Sequence, residues 1–112
     1  MKHIMLAALA FTLAGCASTV TDLRQTKPVM DGYSAKPVSV YSECLLNKWS
    51  EHSYLQPVIA KSSSDGDTLQ FKDFWDGTVF LVDVKKAGGG SHFTLYRSRA
   101  ISFYEEALLS CK

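Results

Sequence analysis

The chain is poor in the side chains that most often carry out chemistry, with three histidines and three cysteines among 112 residues. It contains no Gly-x-Ser-x-Gly sequence, so the elbow that lifts a hydrolase serine above an α/β sheet is missing. Charge is just as even, since 12 basic residues stand against 11 acidic ones. Tracking a phosphate backbone needs a clustered basic stripe, and none is present, which argues against nucleic acid as a partner. The main apolar stretch, Ile4 to Leu13, falls well short of the roughly 20 residues a spanning helix requires.

That stretch fits an export signal instead. Lys2, with His3 beside it, makes a basic start, the apolar run follows, and small residues precede a cysteine. Leu13-Ala14-Gly15-Cys16 resembles the lipobox of bacterial lipoproteins, over residues 1 to 17 only. The competing reading is an ordinary signal with a chance cysteine. The resemblance implies removal of residues 1–15, a thioether-linked diacylglycerol on the Cys16 sulfur, and in many bacteria a third acyl chain on the new amino terminus. Each buried methylene contributes about 0.8 kcal/mol, so two or three chains hold stably without a spanning helix. In enterobacterial-type sorting, an aspartate after the lipidated cysteine favours the inner membrane. Ala17 stands there, and the resemblance therefore implies the outer membrane; the domain is expected to face the periplasm.

Removing 15 of 112 residues leaves 97, with one lysine fewer and a formal charge of zero. That length suits one small domain. Residues 16–37, after the cysteine "ASTVTDLRQTKPVMDGYSAKP", lack sustained periodicity and carry Pro28, Gly32 and Pro37. They are expected to form a flexible tether with a reach of roughly 25 Å. The alternative is that Val29, Met30 and Tyr33 pack as an added edge strand.

The globular domain is expected over residues 38–112. Tyr41, Cys44, Leu45, Trp49 and His52 recur at three- and four-residue steps, which predicts an amphipathic helix with Ser39 as N-cap. Ile101, Tyr104, Ala107, Leu108 and Cys111 predict a second, closing helix capped from Ser98. Between them, "TLQF", "TVFLVDV" and "HFTLYR" alternate as half-buried strands. Hairpins are expected at Asp76-Gly77 and across Gly88 to Gly90, and a first strand at Pro57 to Ala60. The expected fold is α+β: helix, three- to four-stranded antiparallel β-meander, helix, with both helices packed on one sheet face.

Cys44 and Cys111 lie on the two helix stripes and are the pair left once Cys16 is lipidated. Exported proteins keep disulfides, so these two are expected to be bonded rather than packed as free thiols.

Candidate chemistry is sparse. Ser62 to Ser64 with His52 or His92 and Asp65 or Asp67 could be imagined as a hydrolase set, but serines beside Asp-Gly more often build a turn. Aligning Gly66 with the sixth position of an EF-hand loop puts Lys61 and Lys72 where acidic ligands belong. His52 and His92 have no local partner at zinc-ligand spacing. "KKAGGGSH" runs into a strand, whereas a phosphate loop feeds a helix. No metal, cofactor or catalytic residue is expected.

"DFWDGT" is the strongest surface candidate. Phe74 and Trp75 flank a tight turn, where a large aromatic either presents itself to a partner or folds back to seal the sheet. The expected function is a non-catalytic protein-binding or structural module at the cell envelope, with an envelope protein as partner. An inhibitor or immunity-type lipoprotein blocking a hydrolase or toxin is the alternative, and a small envelope enzyme is disfavoured by the lack of a clustered acid, base and nucleophile.

Overall fold

A computed structural model describes residues 19–51, 59–73 and 75–112. In chain order its elements are α1 (Val20–Arg24), β1 (Met30–Ser34), α2 (Val38–Trp49), β2 (Ile59–Ser62), β3 (Gly66–Asp73), β4 (Gly77–Ala87), β5 (Gly90–Arg97) and α3 (Ser102–Ser110). The five strands form one antiparallel sheet in the order β1-β5-β4-β3-β2. The α+β class holds, and the described residues contain one strand more than the upper expectation and a third helix.

The additions come from the segment expected to be a tether. Residues 30–34 pair with β5 from Met30 opposite Leu95 to Ser34 opposite Ser91, which is the edge-strand alternative. Strand alternation explains the pairing: Met30 joins the core and Ser34 is buried, while Asp31 and Tyr33 point to the other face. Ahead of it, α1 is nucleated by a capping box. The Asp22 amide donates to Thr19 Oγ1 and the Thr19 amide to Asp22 Oδ2, each at 3.1 Å.

The core lies between one sheet face and α2 with α3. Leu69 and Phe71, then Phe80, Val82 and Val84, then Phe93 and Leu95 point to this face, as their alternation predicts. The helices answer with Tyr41, Leu45 and Trp49 from α2 and Tyr104, Ala107 and Leu108 from α3. Trp49 is buried, with ring centroids of Phe71, Tyr104 and Phe80 at 5.2, 5.6 and 6.0 Å. Its indole N–H, which cannot be left unpaired there, donates to the Tyr104 carbonyl at 3.2 Å. The Tyr41 hydroxyl likewise donates to the Leu108 carbonyl, and its ring stacks on Phe93.

Cys44 and Cys111 are disulfide-bonded, with Cα atoms 5.8 Å apart across 67 residues of sequence. The bond joins α2 to the C-cap of α3. Both helix starts differ from expectation. Pro37, not Ser39, is the N-cap of α2, because its extended backbone already aims its carbonyl at the Tyr41 amide, 3.0 Å away. Helix α3 starts after Ile101, since Ser98 is still held to the sheet by its amide bond to the Val79 carbonyl. The Ile101 amide is taken by Glu105 Oε2 at 3.0 Å.

The β4–β5 hairpin falls as predicted, whereas Gly77 of the expected Asp76-Gly77 turn lies inside β4, opposite Asp73. Ala87 pairs with Gly90 around Gly88, whose φ of +61° is the left-handed conformation glycine adopts at no steric cost. Of the expected first strand, Ile59 and Ala60 lie in β2; Pro57 and Val58 lie outside the described residues.

Candidate functional site

The β3–β4 turn is built from acids around an aromatic. A register shift at Phe71/Lys72 skews the end of β3, and Asp73 then faces Gly77 across the turn. Gly77 takes a φ of +72° to re-enter the sheet. Asp73 Oδ1 accepts the Trp75 amide at 2.8 Å, an Asx-type closure. Arg99, arriving from the β5–α3 connection, bridges both acids: Nη1 to Asp73 Oδ2 and Nη2 to Asp76 Oδ2, each 2.8 Å. The Trp75 amide, and after it the Arg99 guanidinium, hold the Asp73 carboxyl below its ordinary value. Asp73 in turn raises the pKa of Arg99. A turn clamped at three points thus carries Trp75, which is 78% exposed. Of the two expected contact residues, Trp75 is presented outward and Phe74 lies outside the described residues.

A second polar assembly occupies the sheet face turned away from α2 and α3. Asp83, opposite the core side of β4, is buried and accepts from Arg24 Nε at 3.0 Å, Arg24 Nη2 at 2.7 Å and Thr68 Oγ1 at 3.0 Å. Hydrogen bonding to Asp83 raises the pKa of Arg24. Helix α1 lies against β4 and β5 here and supplies buried Leu23, on the same side as buried Leu81. Beside it runs an open groove of about 640 Å³, lined among others by Asp65, Lys85, His92 and Tyr96.

The other residues singled out in sequence are dispersed. Ser63 closes the β2–β3 turn, its hydroxyl and amide both donating to the Gly66 carbonyl. His92 is on the outer sheet face, stacked on Tyr33 with ring centroids 4.6 Å apart. Cys16 and His52 lie outside the described residues. Among the described residues no three metal-ligating side chains converge, and no helix is long and apolar enough to cross a membrane. Arg24, Asp83 and Arg99 carry no sequence signal as a set, because their pairings span 59, 26 and 23 residues.

Comparison with protein-family models, curated proteins and solved structures finds no match.

Proposed function

We propose that the protein is a lipid-anchored module of the bacterial cell envelope, held at the outer membrane through Cys16, that binds a protein partner through the β3–β4 turn and catalyses no reaction. The observation that carries the binding role is Trp75, 78% exposed on a turn clamped by Arg99 to Asp73 and Asp76. Tryptophan is enriched among the few residues that dominate binding energy. Presenting it on a pre-ordered turn lowers the entropy cost of association. The lipobox-like Leu13 to Cys16 supports the anchor, and the disulfide between Cys44 and Cys111 fits an oxidising compartment.

The test is quantitative affinity capture from envelope extract with the wild-type chain, Trp75→Ala and Leu109→Ala. Leu109 is 54% exposed on α3 and serves as an exposed apolar control. One envelope protein retained by wild type and Leu109→Ala, and lost with Trp75→Ala, supports the reading. Identical captures by all three would contradict it. If the captured partner is a hydrolase or toxin whose activity falls on binding, the module is an inhibitor.

A further inference from the structure

The lipid anchor and the docked α1 together fix which side of the domain meets the membrane. Helix α1 begins immediately after Thr19 and lies on the sheet face opposite α2 and α3, fastened by Leu23 and by Arg24 on Asp83. Only three residue steps separate Cys16 from Thr19, a covalent reach of at most about 11 Å. A free tether starting at Cys16 and running to residue 37 would let the domain turn over; a leash ending at Thr19 leaves from one face. For α2 and α3 to approach the same bilayer, the whole sheet would have to stand between them and the point of attachment.

The same face carries exposed apolar surface. Strand alternation sets Asp31 and Tyr33 on the α1 side, the opposite side to Met30. Tyr33 is 66% exposed. A tyrosine with an apolar ring and polar tip suits the boundary between headgroups and water. Acids and bases are mixed nearby, with Asp65 and Lys85 lining the same groove, so the leash rather than net charge selects the surface.

We propose that the α1-bearing sheet face, with Tyr33 on it, rests against the phospholipid headgroups of the leaflet that holds the acyl chains of Cys16. The α2–α3 layer then faces away from the membrane. This inference rests on the lipid-anchor reading and adds an orientation to it.

The test uses the mature acylated chain in nanodiscs of phosphatidylethanolamine and phosphatidylglycerol, doped with a lipid carrying a paramagnetic chelate on its headgroup. Intact mass first establishes acylation. Amide resonances of Tyr33, Lys85 and His92 should then broaden several-fold more than those of Glu43, Glu106 and Leu109 on the helix layer. The difference should persist at high salt. It should collapse when a Gly/Ser insert of about twenty residues, with a reach of roughly 25 Å, is placed between Ala17 and Ser18. Equal broadening of both layers in the acylated wild-type chain, or stronger broadening of the helix layer, would overturn the orientation while leaving the anchor standing. An unacylated Cys16 would overturn both.

Discussion

Arg24 forks onto Asp83 through Nε and Nη2, at 3.0 and 2.7 Å, joining a five-residue helix to the middle of the sheet across 59 residues. The pair explains why residues 20–24 do not behave as a linker. Asp83 is buried, so its carboxylate needs the fork and the Thr68 hydroxyl. Truncating Arg24 to alanine leaves a buried acceptor short of partners and should cost about 1–3 kcal/mol. Urea denaturation checks the magnitude. Hydrogen exchange should show amides of residues 20–25 losing protection well before the rest of the chain; uniform protection would mean α1 is held by Leu23 alone.

The disulfide closes most of the globular domain into one loop. On the chain-entropy account its loss should cost about 4 kcal/mol, a large share of what a small core supplies. A Cys44→Ala/Cys111→Ala chain should unfold at markedly lower urea, and reductant should bring the wild type down to a comparable midpoint. A wild-type midpoint indifferent to reductant would contradict the bond.

Alkaline pH should weaken the fold through Tyr41. Burial raises its phenol above the ordinary value, so the folded chain keeps a proton that the unfolded chain releases near pH 10. The stabilisation is complete below that pH and erodes as pH rises toward the folded value. Tyr41→Phe removes this linkage, along with the hydrogen bond to the Leu108 carbonyl. It should lower stability at pH 7 by about 1 kcal/mol yet show a shallower decline between pH 10 and 12, read from denaturation midpoints.

Arg99 should matter for the shape of the turn more than for the fold. Its two acids are partly exposed, and exposed ion pairs contribute little to global stability. Arg99→Ala should therefore leave the unfolding midpoint nearly unchanged while faster exchange of the Trp75 amide reports a loosened turn. Acid should act in the same direction. Asp73 titrates below its ordinary value, so its contribution is present above pH 4 and lost as pH falls through the lowered value.

Much of the domain was legible because its signals are local. Leu69 with Phe71, Phe80 with Val82 and Val84, and Phe93 with Leu95 are period-two pairs, and the pattern alone assigns them to one face. The Tyr41-Leu45-Trp49 stripe and the Cys44–Cys111 bond followed from helical spacing and cysteine count. Helix α1 was not legible, since a five-residue element shows almost no periodicity and its stability comes from docking, and β1 was legible only as the alternative to a tether. Thr19 and Asp22, three apart, were the one available signal for α1. The same alternation turns Asp83 away from the core, but its partner Arg24 could be found only in three dimensions. At the candidate site, Trp75 in a tight turn was readable; its clamp by Arg99 was not.

The proposed partner contact is the braced turn that carries Trp75. The most direct measurement places a photo-reactive phenylalanine analogue at Lys72, an exposed neighbour of the turn, or at Leu109 on α3, in cells producing the full-length chain. A single crosslinked species from position 72, absent from position 109 and abolished by Trp75→Ala, is the expected result. Crosslinks from position 109 alone, or a crosslink from position 72 that survives Trp75→Ala undiminished, would contradict it.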